Sequence, residues 1–262
     1  LQSTNTNRTV IIAALDRELH PLVQGWKAAA FSFAGRTYHA YENNEKVAFA
    51  GGIGRQAAAN AARAAIEKYQ PVMLVSVGFA GALIRSLKVG NVITPNVIVD
   101  AATGNEYRCD MGGGVLVSAA AISDAASKHE LVQRFHALAV DMEAAAVAEI
   151  ARGAQIGFRC VKAISDEAEF AMPPLNEFVD ADGNFQTGRF ALWTAIRPWR
   201  WPQVIALGRN SSKAGQALSE WLRHSMAGGF PAARVARIDA EEVDATGGIV
   251  ADVSPAAGPG IS

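Results

Sequence analysis

The chain has 262 residues, half of them hydrophobic, and its 24 basic and 25 acidic side chains leave a formal charge of −1. That length and apolar content suit one large α/β domain with a sizeable core. The near-neutral balance, with no basic run interleaved with aromatics, excludes a nucleic-acid footprint. The two cysteines, Cys109 and Cys160, are too few for a disulfide framework and point to a reducing, cytoplasmic setting. The polar stretch Leu1 to Asn7 lacks a signal core, and no run approaches the ~18 apolar residues of a membrane span.

Val10-Ile11-Ile12-Ala13-Ala14 is short, apolar and β-branched and reads as a buried first strand, after which Asp16-Arg17-Glu18-Leu19 opens a helix. Val47 to Ala50 reads as a strand running into Gly51-Gly52-Ile53-Gly54, followed by an alanine-rich helix from Gln56 to Tyr69 and a strand from Val72 to Val77. Strand, helix and strand in succession imply a parallel crossover. Strand material follows at Val92 to Thr94, Val97 to Val99 and Val115 to Val117, then a polar helix near 123–135. A further helix opens in the 140s, with Asp141 as its cap, and Cys160 to Ile164 reads as a buried strand. Beyond Phe170 the pattern changes. Met172-Pro173-Pro174 breaks regular structure, Asp180 to Asn184 reads as a turn, Phe190 to Ile196 as a helix, and Val204 to Ser225 resumes helical spacing after Arg197-Pro198-Trp199-Arg200-Trp201-Pro202. The domain is expected to span 8–226, with 227–262, rich in Ala, Gly, Pro and Asp, as a flexible tail.

The carboxylates of 141–143 and 166 stand where apolar runs give way to helix or loop. In α/β proteins ligands collect at the carboxyl ends of strands, so these acids are expected to face one crevice. Each also has a bland reading. Glu18 and Glu143 suit the first turn of any exposed helix, and Ser165-Asp166-Glu167 suits a helix start. Gly52-Ile53-Gly54-Arg55-Gln56-Ala57 fits G-x-G-x-x-A, but no acid ends the next strand to hold a ribose, so a dinucleotide site is set aside in favour of a tight turn. The five histidines show no ligand spacing, and neither a metal nor a cofactor is expected.

Five blocks in order carry a family likeness: Ala14-Leu15-Asp16-Arg17-Glu18-Leu19, Gly52-Ile53-Gly54-Arg55, Gly78-Phe79-Ala80-Gly81-Ala82-Leu83 with Leu87-Lys88-Val89-Gly90-Asn91-Val92, Val140-Asp141-Met142-Glu143-Ala144-Ala145-Ala146, and Ala163-Ile164-Ser165-Asp166-Glu167-Ala168. The chain resembles the nucleoside phosphorylase and nucleosidase superfamily, most closely the methylthioadenosine/S-adenosylhomocysteine nucleosidases, which carry V-x-M-E-(S/A/T)-A and then (I/V)-S-D-x-A. The resemblance implies an α/β fold, a three-layer αβα sandwich with a twisted mixed central sheet. It implies cleavage of the N-glycosidic bond of a 5′-modified adenine nucleoside, with Asp166 as the acid at the leaving purine and Glu18 activating water. Glu143 and the Met142 amide would hold the ribose, and Ile53, Phe79, Ala80, Gly81, Ile122, Lys162 and Ser165 would complete the substrate site. It also implies a homodimer in which a neighbouring subunit completes the pocket.

Two departures bear on substrate. The phosphorylases place an Arg and then a Ser or Thr around the Gly78 block, where this chain has Ser76 and Phe79, so water is the expected nucleophile. Lys162 keeps one cation near Asp166, which leaves a phosphate-dependent phosphorylase as the alternative; a nucleoside-binding protein without turnover is the third reading. The segment 180–202 resembles the hopanoid-associated branch, which implies an adenosylated triterpenoid. Trp193, Trp199 and Trp201 with Arg197 and Arg200 read either as an apolar channel, as a peripheral membrane contact, or as aromatics packing a helix or subunit.

Overall fold

The computed structural model describes residues 7–109, 112–121, 125–170, 172–180 and 182–227. Ile122 and the expected tail beyond Ala227 lie outside them. The first half carries β1 (Thr9–Ala13), α1 (Asp16–Leu19), β2 (Lys27–Phe33), β3 (Arg36–Asn43), β4 (Lys46–Ala50), α2 (Arg55–Tyr69) and β5 (Met73–Ala82). The second carries β6 (Val92–Ile93), β7 (Val97–Asp100), β8 (Glu106–Arg108), β9 (Val115–Ser118), α3 (Ala125–Phe135), β10 (Ala139–Asp141), α4 (Ala144–Gly153) and β11 (Gly157–Asp166). Two 3-10 turns, Leu175–Phe178 and Pro198–Arg200, bracket α5 (Thr187–Ala195), and α6 (Trp201–Ala227) closes the described chain.

The strands form one mixed sheet in the order β2-β3-β4-β1-β5-β10-β9-β7-β8, with β11 paired to β5 and β6. β1 runs parallel to both β4 and β5, and β11 parallel to β5, while β10 is antiparallel to β5. The three layers follow from strand alternation. Val10, Ile12 and Leu74 point to the face covered by α2 and α4; Ile11, Ala13, Val75 and Val77 point to the face covered by α1 and α6. On the first face the helices present alanines, including Ala58, Ala61, Ala62, Ala146 and Ala151, whose small side chains let the backbones approach closely. On the second, Leu218 and Leu222 of α6 are fully buried against the sheet.

The expected α/β sandwich is therefore the one observed. Several elements differ in extent: the strand expected over 72–77 runs from Met73 to Ala82, that over 160–164 from Gly157 to Asp166, and the helix over 190–196 from Thr187 to Ala195. Segment 27–43, which carries no strong pattern, is a β-hairpin on the sheet edge, and the helix at Asp16 is a single turn.

Candidate active site

β5 and β11 lie side by side with Lys162 opposite Gly78, Ala163 opposite Phe79 and Ile164 opposite Ala80. At their carboxyl ends the register slips, so that Asp166 rather than Ser165 stands opposite Gly81. An inserted residue of this kind re-aims a strand's last side chains. Here it turns Asp166 into a cavity of about 400 Å³ that also receives Glu18, Ile53, Phe79, Ala80, Gly81, Met142, Glu143 and Ser165. Nine of the sequence-derived site residues thus share one space.

The glycines of the Gly78 block are spacers for the acids. A Cβ on Gly81 would come within 2.8 Å of the Asp166 carboxylate, and one on Gly78, whose φ is +139°, within 3.0 Å of Glu18. Gly54, with φ +91°, donates its amide to Glu143 Oε1 at 2.8 Å. The glycine motif before α2 therefore fixes a carboxylate on the protein itself.

At one end of the cavity stand Glu18, Asp141 and Glu143. Glu18 Oε2 accepts the amides of Ala14 (2.9 Å) and Leu15 (3.1 Å), and among the described residues Oε1 is left for another donor. Burial pushes its carboxyl up, against those amides and Lys162. Glu143 Oε2 accepts the Met142 amide at 3.2 Å. Burial, reinforced by the charge of Asp141, pushes its carboxyl up to about 7. Asp141 accepts the Ala144 amide at 2.9 Å and the hydroxyl of Ser118, although the cap position of α4 is taken by Glu143 and not by Asp141 as expected.

Lys162 is where the sequence reading is corrected. It is fully buried, does not line the cavity, and its Nζ lies 2.8 Å from Asp141 Oδ2. Although burial works against its charge, Asp141 outweighs it and holds the ammonium above its ordinary range. It is a counter-ion behind the acid cluster, not an anion ligand beside Asp166.

The cation beside Asp166 is Lys128, which the sequence reading missed. It sits on α3, is buried, and places Nζ 2.6 Å from Asp166 Oδ2 and 3.1 Å from the Glu167 carbonyl. Ser165 donates its hydroxyl to Asp166 Oδ1 at 2.9 Å. Among the described residues these contacts engage two of its three ammonium donors. Nothing in the Ser127-Lys128-His129-Glu130 run distinguishes Lys128 from a solvated helix cation, because its partner is 38 residues away.

The remaining wall comes from the segment after Phe170: Met172, Leu175, Val179, Phe185, Phe190 and Leu207. Phe178, Phe190 and Trp193 form an aromatic cluster behind it, with ring centroids 5.2 to 6.0 Å apart. Trp193, Trp199 and Trp201 do not line the cavity, which corrects the channel reading of that segment. Arg17, read from sequence as a surface companion of Glu18, lies on the cavity wall. Among the described residues no group of three or more His, Cys, Asp or Glu is placed to hold a metal.

A model of the phosphorylase superfamily matches residues 8–120 and 111–192. The chain belongs to that superfamily. It is accordingly an enzyme of the nucleosidase or nucleoside phosphorylase kind. Among solved structures, this phosphorylase-superfamily chain is similar to futalosine hydrolase of Helicobacter pylori, with 17% identity, a TM-score of 0.67, and coverage of 86% of this chain and 100% of that one. It is also similar to the 5′-methylthioadenosine/S-adenosylhomocysteine nucleosidase of the same organism, at 16% identity and TM-score 0.64 over 85% and 99% of the two chains. The corresponding nucleosidase of Neisseria meningitidis, in complex with methylthio-immucillin-A, gives 18% identity and TM-score 0.63 over 82% and 96%. At such identities these structures share the superfamily's fold with this chain.

Proposed function

We propose that the protein hydrolyses the N-glycosidic bond of a 5′-modified adenine nucleoside, of the methylthioadenosine or S-adenosylhomocysteine type or an adenosylated triterpenoid such as adenosyl-hopane, and releases adenine. One observation carries the reading. Among the described residues the one buried ammonium at the acid cluster of Glu18, Asp141 and Glu143 is Lys162, and the carboxyls of Glu18 and Glu143 are both pushed up. Such a cluster lacks positive charge, and a ribosyl cation developing beside it supplies what is missing. Cleavage of a glycosidic bond passes through such a cation.

In this mechanism Glu143 accepts hydrogen bonds from the ribose hydroxyls, and Glu18 Oε1 orients a water on the face of the sugar away from the base. The C1′–N9 electron pair moves into the purine as N7 takes a proton from the Lys128–Asp166 pair. Water attacks C1′ and gives its proton to Glu18. The products are adenine and the free 5′-modified ribose. An ammonium donor beside a carboxylate acceptor matches the adjacent N7 acceptor and exocyclic amine of adenine, whereas a 6-oxo purine offers two acceptors there. The apolar wall after Phe170 supports an apolar 5′ group, and the carboxylates at the sugar end oppose a phosphate nucleophile.

The purified protein should release adenine and free sugar from methylthioadenosine, S-adenosylhomocysteine or a long-chain adenosyl lipid in phosphate-free buffer. Strict phosphate dependence with a ribosyl 1-phosphate product would establish the phosphorylase instead. Tight nucleoside binding without turnover, unchanged in Asp166→Asn, would establish a binding protein. The homodimer implied by the nucleosidase likeness belongs to the same proposal, and a fully active monomer in light scattering would count against it.

A further inference from the structure

The segment that follows the cavity wall, α5 to the start of α6, carries most of the large hydrophobic side chains that are exposed among the described residues. Of the large hydrophobic side chains exposed among the described residues, Leu192 (67%), Ile196 (62%), Trp199 (70%), Trp201 (49%) and Ile205 (53%) all fall within fourteen positions, and Val72 stands apart. Leu192 and Ile196 are four apart on α5 and its end; Trp201 and Ile205 are four apart on α6. Residues at that spacing share a helix face. The two stripes are held together at the turn between them, where Trp201 Nε1 donates to the Thr194 carbonyl at 3.0 Å.

Along the chain, the charge of the segment that carries these stripes has one sign. Between Asp182 and Glu220 the sequence carries Arg189, Arg197, Arg200, Arg209 and Lys213 and no acidic residue, in a chain whose total formal charge is −1. Arg189 lies one turn before Leu192, and Arg209 one turn after Ile205, so each apolar stripe ends in an exposed cation. Arg197 lies over the Trp193 ring, 4.8 Å from its centroid.

We propose that this face docks on the surface of an anionic phospholipid bilayer. Exposed indoles and branched aliphatic side chains ringed by arginines are the chemistry of an interfacial surface: the apolar groups enter the headgroup and acyl boundary, and the guanidinium groups meet lipid phosphates. Association with a second copy through the same patch is disfavoured, because an isologous contact sets the same cations against each other. Among the described residues no helix is long and apolar enough to cross a membrane, so the contact is peripheral. The inner side of the same elements lines the cavity through Thr187, Phe190, Leu207 and Ser211, which places the site one side-chain layer from the docked surface.

The test is flotation of the full-length protein with vesicles of phosphatidylcholine alone and of phosphatidylcholine mixed with phosphatidylglycerol. It reads binding rather than turnover, so its result stands apart from the proposed reaction. The protein is expected to float with the mixed vesicles and to be released by raised salt, with binding to the neutral vesicles at least tenfold weaker. Leu192→Ser combined with Ile196→Ser and Trp199→Ser, all at well-exposed positions, should abolish flotation while the circular dichroism spectrum is unchanged. Arg189→Glu with Arg200→Glu should do the same. No flotation with mixed vesicles overturns the proposal, as does flotation that neither variant weakens. A dimer in sedimentation velocity that the triple variant converts to monomer would assign the face to a second copy and also overturns it.

Discussion

At the residue scale the site depends on two buried arrangements that treat charge in opposite ways. Asp166 is paired with a cation, while Glu18 and Glu143 are buried with too few. Replacing Asp166 by Asn keeps its size and its contact with Ser165 but removes the carboxylate, and turnover should fall by about two to four orders of magnitude with binding little changed. Steady-state kinetics on a substrate identified as above decides this, and an unimpaired enzyme removes the assignment. Lys128→Met separates support of the leaving base from mere packing. It should slow release of adenine by about a hundredfold or more, yet leave a p-nitrophenyl riboside, whose leaving group needs no proton, within a few-fold. Equal losses on both substrates would mean that Lys128 only holds the structure.

Glu143 has a consequence for stability. Its carboxyl rises from the ordinary 4.5 to about 7, so the folded protein holds a proton there that the unfolded chain releases. Its contribution is fully present below about pH 4.5 and lost as pH rises through about 7. Thermal melts across that window should show Tm falling with pH more steeply in the wild type than in Glu143→Gln. Parallel slopes would contradict the raised value.

At the element scale, β11 and β10 are joined beneath the cavity by the Lys162–Asp141 pair. Removing one partner leaves an uncompensated buried charge, and Lys162→Met is expected to cost about 3–5 kcal/mol in chemical denaturation. Adding Asp141→Asn should recover part of that loss, because the pair then has no stranded charge. A single-variant cost under about 1 kcal/mol, the level of an exposed pair, would contradict the buried placement. Element types were legible where the pattern was clean: the short apolar, β-branched run of β1, the apolar run of β5 and the alanine-rich run of α2 each select one structure. The β2–β3 hairpin was not, since an edge strand with exposed and buried positions mixed offers neither a continuous apolar run nor a full alternation.

At the scale of the whole molecule, α6 serves two surfaces at once. Its Leu218 and Leu222 are fully buried against the sheet, and Leu207 and Ser211 border the cavity. Leu218→Ala should lower stability by about 2–5 kcal/mol by leaving a void in a close-packed layer. Turnover measured well below the transition should stay within a few-fold, because Leu218 does not reach the cavity. A stability change under about 1 kcal/mol would mean that the site collapses freely around the loss.

What the sequence determined by itself is the local and the repeated: strand and helix periodicity, the order of the five blocks, and the acids that stand at strand ends. Those signals lie within a few residues of each other, and the backbone geometry of one strand or one turn suffices to interpret them. The tertiary structure decided which charge meets which. Lys162 and Lys128 are each a lone cation in sequence, and only the pairing of β11 with β5 and the packing of α3 over the strand ends sends the first to Asp141 and the second to Asp166. It also decided that Phe190 faces the cavity while Trp199 faces outward. Composition cannot separate those two aromatics, because which side of a helix is inside depends on what the rest of the chain packs against it.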